Sequence, residues 1–177
     1  GANIGLYSLW MAEAGARVTA FEPDPQAAQR LRRTIGLNDY DIEVMQVALS
    51  AQRGSAAFTV GLDAVNHLVA DGSEGVEVRT ETLDGILGGA EVAGVKVDVE
   101  GAEQLVLEGS RQALEEKRIG ALQLEWNAQS EMVTGTDREP VAALLRSHGY
   151  CLYEVGVGGN LERTERTAYG DDLFALP

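Results

Sequence analysis

Short apolar runs alternate with segments of helical period along most of this chain, and that alternation restricts its possible folds more than any other feature. RVTAFE (17–22), IEVMQVALS (42–50), VKVDVE (95–100) and ALQLEW (121–126) read as buried strands. Between them, residues 6–14 place Leu6, Leu9, Trp10 and Ala14 at helical spacing, which predicts that Trp10 faces a core, and Gly15 stops the helix. Asp24 followed by Pro25 starts a second helix that runs to about Leu37 and closes at Asn38-Asp39. TLDGIL (82–87) reads as a short helix capped by Thr82. GAEQLVLEG reads as another, Ser110 as the cap of one through Lys117, and residues 138–148 as a helix ended by Gly149. AAFTV (56–60) and VEVRT (76–80) add two strands, and YCLYEV (150–155) and DLFAL (172–176) the last two, with GVGGN (156–160) as a turn between. Strands alternating with helices predict an α/β fold, a mostly parallel sheet with helices on both faces. The last two strands, joined without a helix, are expected to pair antiparallel. No repeat, linker or low-complexity segment interrupts the 177 residues, which read as a single domain.

Charge narrows the partners. The chain carries 28 acids against 14 bases, a net charge of −14. That field repels phosphate backbones and anionic lipid, so nucleic acid and membrane surfaces are not expected as partners. No apolar run approaches the ~20 residues of a membrane span. The single Cys151 and the lack of a signal-peptide pattern point to a cytoplasmic protein.

In an open α/β sheet, ligands bind beyond the carboxyl ends of the strands. Those positions hold Gly1-Ala2-Asn3-Ile4-Gly5, then Glu22-Pro23-Asp24, Ala48-Leu49-Ser50, Asp98 with Glu100 and Gly101, and Glu125-Trp126-Asn127. Gly1 and Gly5 flank a turn into a helix whose first N–H groups suit a carboxylate or a phosphate. Glu22 lies 17 residues beyond Gly5, where a carboxylate can accept both hydroxyls of a ribose. Together they suggest a nucleoside cofactor. The run G-A-N-I-G-L-Y lacks the glycine register of G-x-G-x-x-G, and no G-x-x-x-x-G-K-[ST] occurs, so a pyrophosphate has no cradle. A cofactor with a carboxylate and a ribose but no phosphate fits better than NAD.

GANIGLYSL, FEPDP, VALS, TLDGIL, VKVDVEGAEQLVLEG and LQLE, in that order over roughly residues 1–126, resemble the FkbM family of S-adenosylmethionine-dependent methyltransferases, and the closing DLFALP resembles its last strand. The resemblance implies a Rossmann-like methyltransferase sheet. It also implies that the family's first motif, an apolar strand ending in Asp-x before Gly-Ala-Asn-x-Gly, is cut short here, so that the first strand before Gly1 is missing. Carried over by position, Gly1, Ala2, Asn3 and Gly5 would wrap the methionine part of S-adenosyl-L-methionine. Glu22, with Pro23 beside it, would hold the ribose, and Ala48 and Leu49 would border the adenine. Asp98 would stand between cofactor and acceptor, and Glu100 would line the same site. The implied reaction is O-methylation of a hydroxyl on a sugar, a polyketide or another small metabolite. An NAD-linked Rossmann oxidoreductase and a non-catalytic or truncated binding module are the alternatives.

A hydroxyl acceptor must lose its proton, and a carboxylate or histidine within hydrogen-bond reach can take it. Asp98, Glu100 and Glu103 are the carboxylate candidates, the first two converging on one face if the strand continues to residue 100. With Glu125 they could also attract a divalent cation, although nothing in the sequence establishes a metal. The other reading of Glu103 is a solvated acid in the first turn of a helix. His67, in the loop 61–75, is either a base over the strand ends or a solvated side chain. His148 suits a helix C-terminus. Trp126 reads as lining an acceptor pocket or packing in a core, and Tyr150 and Tyr153 as ordinary strand residues. Loop 61–75 and segment 127–137 are where acceptor specificity is expected.

Overall fold

A computed structural model describes residues 1–59, 67–68, 75–125, 138–166 and 172–177. The chain gathers into two compact units, residues 1–49 with 53–81, and residues 50–52 with 82–177.

The first unit begins with helix α1 (Leu6–Glu13), strand β1 (Val18–Phe21), helix α2 (Pro25–Asn38) and strand β2 (Ile42–Met45). β1 and β2 pair in parallel, Val18 beside Ile42 through to Phe21 beside Met45. α2 forms where the sequence sets its signals. Asp24 Oδ1 accepts the Gln26 N–H at 2.7 Å, and Pro25 occupies the first turn, where its missing N–H costs nothing. The helix buries Ala28 and Leu31, three residues apart on one face, and ends at Asp39 with a left-handed φ of 55°. The expected strand 42–50 is split, because Val47 N–H turns back onto Met45 O. Its second part, β3 (Ala48–Leu49), joins a different sheet, parallel to β5 (Val76–Glu81), which pairs antiparallel with β4 (Gly54–Phe58). Ala48, Phe58 and Val78 form the buried cluster of that sheet, with Leu68 packed against it.

α1 departs from expectation. Trp10 and Leu6 are each 55% exposed, and the residue the helix buries is Ser8. Leu6, Tyr7, Leu9, Trp10 and Met11 make this helix apolar nearly all round, so its spacing cannot indicate a core face. Tyr7 and Trp10 instead pack edge to face, 5.7 Å between centroids.

Gly5, at the start of α1, has φ 96°, and a Cβ there would collide with the side chain of the fully buried Leu31. Gly5→Ala therefore meets both left-handed strain and overpacking and is expected to cost about 2–4 kcal/mol. Urea denaturation should show it as a lower midpoint at unchanged slope.

The second unit holds α3 (Leu83–Leu87), β6 (Val95–Val97), α4 (Glu103–Glu108), α5 (Arg111–Glu115), β7 (Leu122–Leu124), α6 (Glu139–Ser147), β8 (Cys151–Val155), β9 (Leu161–Arg163) and β10 (Leu173–Leu176). Its sheet has the order β6-β7-β10-β8-β9. β6 and β7 run parallel, and β10 inserts antiparallel between β7 and β8, as expected for the last two long strands. Residues 156–160 turn the chain from β8 into β9, an antiparallel hairpin, rather than leading straight to the final strand. The fold class is thus α/β. Among the described residues the strands that pair in parallel are β1–β2, β3–β5 and β6–β7, with one isolated parallel bridge between Val92 and Ile119. The core of this unit includes Val97, Leu107, Leu114, Ile119, Leu122, Leu124, Leu145, Leu152 and Leu173.

Two caps deserve comparison. Thr82 Oγ1 accepts the Gly85 N–H at 3.1 Å and caps α3 as expected. Ser110 does not cap α5, since its hydroxyl donates to Val106 O at 2.6 Å. Asp84 of α3 takes that role across the unit, its two oxygens accepting the Gln112 and Ala113 N–H groups at 2.9 and 2.8 Å. Tyr150 is more than a strand residue. It is buried ahead of β8 and donates its hydroxyl to Ile119 O at 2.9 Å. His148 closes α6, its Nδ1 2.9 Å from Leu144 O, as a helix C-terminus favours. No helix among the described residues is long and apolar enough to cross a membrane.

Candidate active site

In the first unit, the end of β1 draws the N-terminal loop to Glu22. Ala2 donates its N–H to Phe21 O at 2.9 Å, and Glu22 N–H bonds Met45 O of β2 at 3.1 Å. These two bonds hold the Glu22 side chain inward, only 5% exposed. Its carboxylate then accepts the Asn3 N–H at 2.6 Å on Oε2 and the Asp24 N–H at 2.8 Å on Oε1. Asn3, at φ 49°, and Gly5 are the left-handed residues that bend the loop to this point. Pro23 and Ala48 are buried and Leu49 half-buried in the same unit. The structure therefore joins Asn3 to Glu22 and Ala2 to its neighbour Phe21.

In the second unit, β6 ends at Val97, short of the expected residue 100. Glu100 and Gly101 follow with φ 51° and 104°, two left-handed residues in succession. The turn delivers what an extended strand was expected to deliver. Oxygens of Asp98, Glu100 and of Glu125 just beyond β7 lie within 4.8 Å of one another. Lys96, two residues before Asp98, forms an ion pair and hydrogen bond with it. Burial alone would raise the Asp98 pKa, but the Lys96 ammonium and a hydrogen bond shared with Glu125 outweigh it and hold this carboxyl below the usual range. Glu125 goes the other way. Burial, the hydrogen bond with Asp98 and the charges of Asp98, Glu100 and Glu103 push it up to about 8. At neutral pH the pair thus splits into an ionised Asp98 and a protonated Glu125. A hard divalent cation takes oxygen ligands at this kind of spacing, and here it would have to displace the Glu125 proton.

Glu103 is not a solvated acid. It is 0% exposed, with Arg138 Nη1 donating to its Oε2 at 2.6 Å and Gly101 N–H to its Oε1 at 3.1 Å. Sequence reasoning missed both Arg138 and Lys96. Lys96 had a local signal, since side chains two apart on a strand share a face. His67 belongs to the first unit, its backbone joined to Thr59 by N–H···Oγ1 and O···H–N bonds of 2.9 and 3.0 Å. Trp126, segment 127–137 and most of loop 61–75 lie outside the described residues.

The model of the methyltransferase FkbM domain matches residues 1–152, most of the chain and parts of both units. This chain belongs to the FkbM methyltransferase family. It is similar to a methyltransferase, sdnD, of Sordaria araneosa, 38% identical over 112 residues, which is 56% of this chain and 42% of that protein. It is also 29% identical over 138 residues to the hexuronic acid methyltransferase AglP of Haloferax volcanii, covering 76% of this chain and 57% of the relative. A third match, 28% identical over 213 residues, is the AMB antimetabolite synthetase AmbE of Pseudomonas aeruginosa, of which the chain spans only 10%. The chain spans between a tenth and about three fifths of the curated relatives it matches. The FkbM match includes Glu22, Asp98, Glu100, Glu103, Glu125 and Arg138 and stops within β8, so β9 and β10 fall beyond it.

Proposed function

We propose that residues 1–177 act as one Rossmann-like methyltransferase domain that O-methylates a hydroxyl of a sugar, a polyketide or another small metabolite. The observation that carries this reading is the clasp of the loop Gly1–Asn3 on the buried Glu22 carboxylate, in a chain of the FkbM family. The residues fit S-adenosyl-L-methionine. Each Glu22 oxygen takes one backbone N–H and keeps further acceptor capacity for a ribose hydroxyl. No side chain caps α1, so its first N–H groups suit the cofactor's carboxylate. Gly1, Ala2, Asn3 and Gly5 form the wall on that side, and Pro23, Ala48 and Leu49 supply apolar surface for the adenine.

The cofactor supplies an electrophilic methyl group on a sulfonium. Asp98, ionised at neutral pH, accepts the proton of the acceptor hydroxyl. Glu125 donates its own hydrogen bond to Asp98 and keeps a second negative charge from forming beside it. Glu100 orients the acceptor through a further hydroxyl, and His67 is the alternative base.

Thermal unfolding with S-adenosylhomocysteine, and separately with NAD, tests the cofactor. Binding to the native state adds about 2.7 kcal/mol at a hundredfold excess over Kd. A shift with S-adenosylhomocysteine, none with NAD, and loss of the shift in Glu22→Ala are expected. A shift with NAD alone would replace this reading by an oxidoreductase. Transfer from methyl-labelled cofactor to a panel of sugars and polyketide alcohols then tests the acceptor class. The name of the Haloferax volcanii relative puts a hexuronic acid on that panel. An N-methylated product from an amine control would overturn the O-selective part.

A further inference from the structure

The buried Glu103–Arg138 pair is an expensive way to hold two segments together. Apolar residues of the same volume commonly serve stability as well or better. Arg138 is also poorly placed for its own helix. It sits at the N-terminal end of α6, where the macrodipole disfavours a cation, and its side chain makes no capping bond. What the pair does achieve is specific. One Glu103 oxygen takes Arg138, and the other takes the N–H of Gly101. Gly101 is the second of the two left-handed residues, and Glu100 is the first. A non-glycine residue persists at such a φ only where its surroundings over-determine it. Glu103 supplies that constraint two residues beyond the turn, on a helix whose packing partners include α6.

We propose that Arg138 is a positioning residue for the acceptor site: through Glu103 it fixes the Glu100–Gly101 turn, and so sets where the Glu100 carboxylate stands against Asp98 and Glu125. The inference rests on the reading that these carboxylates handle the acceptor. Arg138 touches no reacting atom in this scheme. Its effect travels through one ion pair and one backbone hydrogen bond.

The informative variant is Glu103→Gln combined with Arg138→Met. It removes both charges together and leaves the amide oxygen to accept from Gly101. Two readouts separate positioning from folding. Hydrogen exchange of the Gly101 amide is expected to quicken at least tenfold in this variant while the amides of β6 and β7 keep their protection. Labelled-methyl transfer to the acceptor hydroxyl that the wild type methylates is expected to fall at least tenfold in kcat, with the KM for S-adenosylmethionine unchanged. Arg138→Lys, which restores a charge to Glu103, should recover part of both. Gly101 exchange at the wild-type rate, or wild-type kcat in the double variant, would overturn the proposal. Failure of the underlying reading shows elsewhere: the wild type itself would give no shift with S-adenosylhomocysteine and no transfer, while Gly101 exchange would still decide the brace.

Discussion

Arg138→Met alone is expected to be among the most damaging single substitutions in this chain. It leaves the Glu103 carboxylate fully buried without its guanidinium. Breaking one side of such a pair costs about 3–5 kcal/mol, most of it the penalty of an uncompensated buried charge. Against a typical total of about 5–15 kcal/mol, that is a large fraction. For a chain of this length it corresponds to a fall in Tm of roughly 6–20 °C. The combined Glu103→Gln, Arg138→Met variant should recover most of that loss, because no unpaired charge remains. A double-mutant cycle read by urea or thermal unfolding measures this directly. If the single and the combined variants lose equally, the damage comes from lost packing around Arg138 and not from the stranded charge.

That pair also marks the limit of what the sequence could reveal. The local devices were legible: Asp24 and Pro25 at the start of α2, Thr82 at α3, the left-handed stop at Asp39. Each depends on residues within four positions, so the sequence carries the whole signal. The non-local ones were not. Glu103 finds its partner 35 residues on, and Asp84 caps α5 from 28 and 29 residues away. Ser110 stood at a plausible cap position, and nothing nearby in sequence says that its hydroxyl bonds back to Val106 instead. Sheet order has the same character. β10 enters between β7 and β8, and only tertiary pairing decides that.

The candidate site was legible in composition and less so in geometry. Asp98, Glu100 and Glu125 were expected near one another because each follows a strand. The expected route, side chains alternating along an extended strand to residue 100, is not the one taken. The strand stops at Val97, and a left-handed turn makes the convergence. Residue type therefore pointed to the cluster, while of the two residues that brace its turn Glu103 also read as a solvated acid and Arg138 was not singled out. Glu22 was legible more fully, because its bond to Asp24 is local and the FEPDP motif holds both residues. Its bond to Asn3 was the long-range part.

Glu125→Gln is the second large effect, and it is visible in pH dependence rather than at one pH. The Glu125 carboxyl rises from 4.5 to about 8 on folding. A raised acid stabilises the native state fully below its unfolded value, and that contribution is lost as pH climbs through about 8. Asp98 behaves oppositely. Its lowered value contributes above the unfolded 3.8, and the contribution disappears as pH falls through the folded one. Between pH 5 and 9, then, Glu125 is the group of this pair whose ionisation erodes stability. Glutamine mimics the neutral acid but cannot ionise beside Asp98 and Glu100. The variant should match the wild type near pH 5 and melt higher near pH 9, the two Tm curves diverging as pH rises above the unfolded 4.5 and running parallel again above about 8. Parallel curves across that range would mean that Glu125 is ionised throughout. Transfer activity adds a second check. If Asp98 is the base and Glu125 the neutral neighbour, the glutamine variant keeps most of its rate at pH 7. If the ionised Glu125 is itself the base, wild-type activity climbs through pH 8 and the variant stays low at every pH, which would move the general base from the end of β6 to the end of β7.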